Sequence, residues 1–172
     1  MISELGLETG LEGKLELLPL NALDEKAFSD IMTRFDNGPL TIVNEGLLMY
    51  LGIEEKKQLC SYIHKALKQH GGQWITADIY IKRPAEVLDM MPQSKQETQF
   101  FEQHHIEENK FDSYEAARIF FEDAGFEFIK EGVTDYSQLS AMPHLISTLP
   151  PEARDKKGGP PKIQATWMLK AR

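Results

Sequence analysis

Asn44, Glu45 and Gly46 interrupt an apolar stretch at the point where a buried strand is expected to end. A carboxylate in that position loses hydration unless a cation or a set of hydrogen-bond donors meets it. A glycine beside it allows a ligand to approach the backbone closely. These residue types indicate a binding site for a ligand with donor groups. The alternative is that Glu45 caps the next turn or faces water.

A second polar turn, Asn21-Ala22-Leu23-Asp24, follows an earlier apolar segment. Asp24 is a typical helix N-cap, which is its commoner use. The amide of Asn21 is suited to contact an adenine-like edge, a weak signal alone. Asp78 ends a third apolar segment and either faces the same crevice or lies exposed to solvent.

The elements that must position these residues follow from the apolar periodicity. Strands are predicted at residues 14–20, 40–43, 73–80, 126–133 and 163–170, and helices at residues 24–35, 54–69 and 114–124. Strands that alternate with helices predict βαβ units and a parallel sheet. Such sheets bind ligands at the carboxyl ends of their strands, where both polar turns are predicted to lie.

Further expectations concern packing, domain organisation and a possible apolar pocket. The apolar residues of 40–43 are consecutive, which is typical of a strand covered on both faces. Residues 1–172 are predicted to form a single domain, with 82–112 as a partly helical insertion over the substrate site. Phe100, Phe101 and Phe111 of that insertion are candidates for an apolar pocket, although core packing is their commoner use.

Composition narrows the class of protein. The net charge of −8 argues against a nucleic-acid partner, which requires a basic surface. Cys60 is the single cysteine, so no internal disulfide forms, and a cytoplasmic location is expected. The N-terminus does not have the pattern of a signal peptide, and no apolar run is long enough for a membrane span. His104 and His105 do not have metal-ligand spacing, so we predict no metal site.

The octapeptide NEGLLMYL is followed by a helix, a glycine pair and a strand ending in Asp78. This arrangement resembles the leucine carboxyl methyltransferase-like family of class I S-adenosylmethionine-dependent O-methyltransferases, which includes bacterial members in polyketide synthesis. Residues 123–136 are similar to a late helix–glycine–strand junction of that class. The resemblance implies an α/β, doubly wound, Rossmann-like sheet in the order 3-2-1-4-5-7-6, mostly parallel with an antiparallel last strand.

The resemblance also implies a cofactor and the residues that bind it. Glu45 matches the acidic residue that contacts S-adenosylmethionine, with Gly46 beside it. Asn21, Ala22 and Leu23 match the loop near the adenine, although some relatives carry an aspartate where Asn21 stands. The implied reaction is methyl transfer to a carboxylate or hydroxyl of a small molecule. No catalytic base is implied.

The family's first βαβ unit, which carries the glycine-rich cofactor loop, has no counterpart in this sequence. We therefore expect a partial fold in which strand 40–43 becomes a sheet edge. Either strand 14–20 moves beside it, a second chain covers it, or the sequence is a fragment of a longer protein, which is the arrangement we favour. Cofactor binding by this chain alone is then expected to be weak.

Two functions besides methyl transfer remain open, a non-catalytic role and a nicotinamide-dependent oxidation or reduction. The chain is either the C-terminal portion of a methyltransferase or a non-catalytic remnant that pairs with another chain, as a homodimer or with a separate N-terminal segment. A nicotinamide-dependent oxidoreductase also uses a doubly wound sheet. The antiparallel last strand expected after residue 157 favours the methyltransferase class over it.

Overall fold

The computed structural model describes residues 13, 15–36, 38–82, 94–133, 140–141, 144 and 162–172. Its elements, in chain order, are α1 (Glu25–Met32), β1 (Leu40–Asn44), a 3-10 helix (Leu48–Tyr50), α2 (Ile53–His70), β2 (Gly72–Tyr80), α3 (Lys95–Gln103), α4 (Ile106–Asn109), α5 (Tyr114–Asp123), β3 (Phe126–Gly132) and β4 (Gln164–Ala171). The helices and strands predicted from residue 24 onward recur with bounds within three residues.

The four strands form one open, mixed sheet in the order β1-β2-β4-β3. β1 runs parallel to β2, whereas β4 is antiparallel to both β2 and β3. Three strands therefore share one direction and the last strand opposes them. The α/β class and the antiparallel last strand are confirmed.

Glycine begins β2 because there is no room for a side chain at that point. Gly72 has φ +103° and lies opposite Leu40 of β1. A Cβ atom there would lie 1.9 Å from the carbonyl oxygen of Leu40. The glycine pair thus ends α2 and lets the parallel strand pair begin at once.

Helices α2 and α5 contribute side chains to the core that covers the sheet. Leu59, Ile63 and Leu67 form the buried side of α2, as predicted from their spacing. Aromatic side chains fill the centre, where Trp74 and Phe121 meet edge to face with ring centroids 5.4 Å apart. Burial of such rings stabilises the sheet against its helices.

The predicted strand at residues 14–20 is wrong for the residues that the structure describes. Residues 15–20 lie outside any strand, and Leu17 is 79% exposed. Arg34, just after α1, pairs with Glu16 at 2.7 Å. Within the described residues no strand pairs with the outer side of β1, so movement of this segment into the sheet is not observed. An apolar segment without a neighbouring strand leaves its leucines in water.

The prediction that residues 40–43 are covered on both faces is also wrong. β1 lies at the sheet edge, as the partial fold implied. Leu40 is buried, but Thr41 is exposed and Val43 is 65% exposed. Packing covers one face of the strand only, because no described element lies over the other.

The insertion at 82–112 is partly helical, as expected, since it contains α3 and α4. The short helix α4 packs on the 3-10 helix that follows β1. The predicted role of the insertion as a substrate cover remains a prediction, and residues 83–93 lie outside the described part. Among the described helices, none has the length and apolarity that a membrane crossing requires.

Candidate functional site

The carboxylate of Asp78 organises the turn that follows β1. Its side chain is 1% exposed and accepts four hydrogen bonds. The donors are Asn44 Nδ2 at 2.6 Å and the backbone N–H groups of Gly46, Leu47 and Leu48 at 2.5, 2.7 and 3.0 Å. A buried carboxylate is stabilised when donors surround it, and the turn's own N–H groups are satisfied at the same time.

Strand β2 places Asp78 by an irregularity in its pairing. The register with β4 shifts between Thr76 and Ile79. Asp78 N donates to Thr76 Oγ1 at 3.3 Å within this irregular segment. Asn44 is fixed from its other side, since its Oδ1 accepts from Trp74 Nε1 at 2.6 Å. A connected network of buried polar groups therefore holds the end of β1.

Glu45 is the residue that this network leaves outside. Its side chain is exposed, and in the described part of the chain it has no hydrogen bond or ion pair. Gly46 has φ +66°, a conformation that favours glycine, and open space surrounds the position of a Cβ atom there. The turn thus directs a free carboxylate toward solvent at the carboxyl end of β1.

Tyr80, the last residue of β2, is affected by the charge of Glu45. Burial, followed by the negative charges of Asp78 and Glu45, raises the pKa of the Tyr80 phenol. A hydrogen bond with Gln164 acts in the opposite direction, and Tyr50 contributes a further small increase. At neutral pH the phenol therefore remains protonated, so it is able to donate a hydrogen bond and does not act as a base.

The turn of Asn21, Ala22, Leu23 and Asp24 uses its polar groups locally. Asn21 Oδ1 accepts from Leu23 N at 3.1 Å, and Asp24 Oδ1 accepts from Ala27 N at 2.9 Å. Asp24 is therefore the N-cap of α1, as its usual role predicted. Ala22 and Leu23 pack against the core.

The structure does not join the two predicted contact regions directly. The carbonyl oxygen of Leu23 accepts from Gln58 of α2 at 3.0 Å, whereas Glu45 lies near Tyr80. No hydrogen bond or ion pair links Asn21 to Glu45 within the described ranges. A cofactor site shared by Asn21, Ala22, Leu23, Glu45 and Gly46 therefore remains a prediction.

Sequence reasoning missed Lys56, which is 2% exposed on the buried side of α2. Its Nζ donates to the carbonyl oxygens of Leu51 at 2.5 Å and Asn109 at 2.6 Å. Burial lowers the pKa of Lys56 from 10.5 to about 8. This side chain joins the segment after the 3-10 helix to α4, so it links the insertion to the candidate site.

The two histidines of the insertion have separate surroundings. His104 packs against the rings of Phe100 and Tyr50, with centroids 4.5 and 6.0 Å away. His105 Nδ1 lies 2.7 Å from Glu108 Oε2. Among the described side chains, no group of three or more histidine, cysteine, aspartate or glutamate residues is arranged to hold a metal ion.

Asp78 was predicted only as one of two alternatives, either a crevice residue or an exposed one. A turn that contains glycine exposes several backbone N–H groups, and these need an acceptor when they are buried. The acceptor here lies about thirty residues away on the adjacent strand. Near the turn itself, only Asn44 and the glycine-containing sequence indicated that such an acceptor was needed.

No protein-family model matches the chain, and no curated protein matches it.

Proposed function

We propose that the chain forms one wall of the cofactor site of an S-adenosylmethionine-dependent O-methyltransferase that acts on a carboxylate or hydroxyl of a small molecule. The observation that carries this proposal is the exposed carboxylate of Glu45, which pairs with no described residue and follows the end of β1 that the Asp78 network holds. Ligand sites of open α/β sheets lie at the carboxyl ends of the strands.

The strand order supports the same proposal. The order β1-β2-β4-β3, with β4 antiparallel, corresponds to the last four strands of the arrangement 3-2-1-4-5-7-6 that the resemblance implies. In that correspondence β1 takes the fourth place, which adjoins the strand that carries the glycine-rich loop. A likeness of fold alone does not establish function, so the proposal depends on the site.

The residues of the turn fit the polar part of the cofactor. Glu45 would accept hydrogen bonds from its hydroxyl or amine groups, and Gly46 leaves open space beside the backbone. Tyr80, still protonated, would donate a hydrogen bond toward the same edge. When bound, the cofactor supplies a methyl group for in-line displacement, and the protein's contribution is to hold donor and acceptor in line.

Calorimetric titration with S-adenosylmethionine and its demethylated product tests this proposal. Because this chain supplies only one wall of the proposed site, it should bind the cofactor weakly, with a dissociation constant of about 1 mM. Glu45→Gln should weaken it about tenfold, because a hydrogen bond to a charged group contributes roughly 1.5 kcal/mol. Glu127→Gln, the same change at an exposed position of β3, is the matched control and should have no effect.

Two outcomes would contradict the proposal. Equal affinities for the wild-type chain and Glu45→Gln would remove that residue from the site. Micromolar or tighter binding by this chain alone would show that its own residues complete the site, contrary to the one-wall account.

A second candidate function is pairing with another chain. It is favoured by the position of β1, whose outer edge pairs with no described strand and whose Val43 is 65% exposed. Exposed edges are templates for strand addition. Sedimentation analysis at increasing concentration distinguishes the two functions, since a monomer that still binds the cofactor supports the first and a stable dimer without cofactor affinity supports the second.

A further inference from the structure

Three aromatic side chains meet beside the candidate site, and we call them the aromatic corner: Tyr50, Phe100 and His104. Tyr50 stands nearly perpendicular to both partners, at 81° to Phe100 and 85° to His104, with centroids 6.4 and 6.0 Å apart. Phe100 and His104 lie closer, at 4.5 Å. The corner joins the 3-10 helix after β1 to the end of α3.

The aromatic corner differs from the other ring clusters in its exposure. Trp74 and Phe126 of the core are fully buried, whereas Tyr50 and Phe100 are each 42% exposed. Rings that pack together and yet remain open to water leave aromatic faces free for a ligand. Their contacts with one another hold those faces in a defined arrangement.

The surroundings of the corner are acidic. Glu45 lies five residues before Tyr50, and both are close enough to Tyr80 to affect its phenol. Residues 94–110, which contribute Phe100 and His104, contain four glutamates and two lysines, and Lys110 pairs with Glu107. Negative potential over exposed ring faces attracts a cation and repels an anion.

We infer that the aromatic corner binds an alkylated organic cation, either an ammonium or a sulfonium. Ring faces attract such cations through their quadrupole, and bulky alkylated cations lose little hydration when they contact a ring. The two sources of this chemistry are an ammonium group on the methyl acceptor and the sulfonium of the proposed methyl donor. The inference goes beyond the proposed function, because a cation site does not require methyl transfer.

The test uses choline and its neutral carbon isostere, in which a tert-butyl group replaces trimethylammonium. The full chain is titrated with each compound at about pH 8, where histidine is ordinarily uncharged, and the ring resonances of Tyr50 and Phe100 are followed by NMR. Choline should bind at least about fivefold more tightly than the isostere. Equal or tighter binding of the neutral compound would overturn the inference, as would shifts confined to other parts of the chain.

Substitutions separate ring attraction from simple apolar contact. Tyr50→Leu and Phe100→Leu retain an apolar side chain but remove a ring face, so each should reduce the preference for choline over the isostere. Phe35→Leu is the matched control, because Phe35 is 52% exposed and lies after α1. Thermal unfolding of each variant checks that it is folded. An unchanged preference in folded Tyr50→Leu and Phe100→Leu would contradict the assignment.

A competition arm distinguishes the two sources. If the corner binds the sulfonium, S-adenosylmethionine should displace choline, while its demethylated product, a neutral thioether, should not. If the corner binds an acceptor's ammonium, choline should bind equally well with either compound present. The first comparison, of choline with its isostere, is made without any cofactor. Failure of this inference is therefore distinguishable from failure of the methyltransferase proposal.

Discussion

The turns at residues 44–48 and 21–24 look alike in sequence and differ in the structure. Each places an asparagine after an apolar segment, and each was predicted to contact the same ligand. The first follows a true strand and is held by Asp78 from the neighbouring strand. The second follows residues 15–20, which join no strand in the part of the chain that the structure describes, and its polar side chains bond to the turn and helix that they begin.

The difference concerns where each turn obtains its hydrogen-bond partners. In the first turn the acceptor comes from a distant, buried carboxylate, so the turn does not need the side chain of Glu45, which pairs with no described residue. In the second, Asn21 and Asp24 satisfy local backbone N–H groups themselves. A side chain that its own turn does not require is the better candidate for a ligand contact.

The largest expected effect comes from the same substitution at the two aspartates. Asp78→Asn places an amide N–H₂ among four donors in a buried site, and should lower the free energy of unfolding by about 3 kcal/mol. Asp24→Asn should change it by less than about 0.5 kcal/mol, since asparagine is an equally good N-cap. Urea unfolding measures both. Similar losses in the two variants would erase the distinction between the turns.

Lys56 gives an effect of comparable size, seen as a pH dependence. Its folded pKa of about 8 lies below the ordinary 10.5, so the unfolded chain binds more protons between these values. Stability contributed by this group therefore rises with pH through that window, by about 1.4 kcal/mol per pKa unit of difference. The free energy of unfolding of the wild-type chain should therefore rise with pH relative to that of Lys56→Met.

Lys57→Met is the control for this measurement, because Lys57 is an exposed neighbour on α2 that pairs with Glu54. Its difference from the wild-type chain should stay nearly constant over the same pH range. A constant difference for Lys56→Met as well would mean that Lys56 keeps an ordinary pKa. Ionisable groups that a variant shares with the wild-type chain contribute equally to both free energies of unfolding, so their pH dependence cancels in each comparison.

Removal of the second turn's cap should have a moderate effect. Asp24→Ala removes the acceptor of the Ala27 N–H and should cost about 1 kcal/mol. The melting temperature should fall by several degrees, with helical circular dichroism otherwise retained. A loss comparable to that of Asp78→Asn would show that α1 depends on this turn far more than its single capping bond indicates.

The smallest expected effect on stability is at Glu45. Glu45→Gln should change the free energy of unfolding by less than about 0.5 kcal/mol, because the side chain is exposed and unpaired within the described residues. Thermal melts of the variant and the wild-type chain provide the measurement. A loss above 1 kcal/mol would assign Glu45 a structural role and weaken its case as a ligand contact.

Periodicity predicted most of the elements because burial on one face leaves a regular spacing. Leu59, Ile63 and Leu67 are an example, and their helix was located within one residue at each end. The apolar segment before Asn21 was misread for a physical reason. A strand requires a neighbour to pair with, and a local apolar pattern does not reveal whether one exists.

The site was predictable only in part, for a similar reason. The position of Glu45 at a strand end could be read from the break in an apolar run. The role of Asp78 and the burial of Lys56 depend on contacts that span about thirty and fifty residues. Such pairings are set by the sheet and by the packing of α4, which a single local pattern does not encode.

An amide NMR titration of this chain tests most directly whether Asp78 holds Glu45 for a ligand. The ligand is the demethylated product of S-adenosylmethionine, the proposed cofactor, at millimolar concentrations where weak binding is visible. We expect the amide signals of Glu45, Gly46 and Tyr80 to shift progressively, and Glu45→Gln to reduce those shifts. Signals of residues 15–20 should stay fixed. An absence of shifts at the turn after β1, or shifts centred on residues 15–20, would contradict the claim that Asp78 holds Glu45 for a ligand.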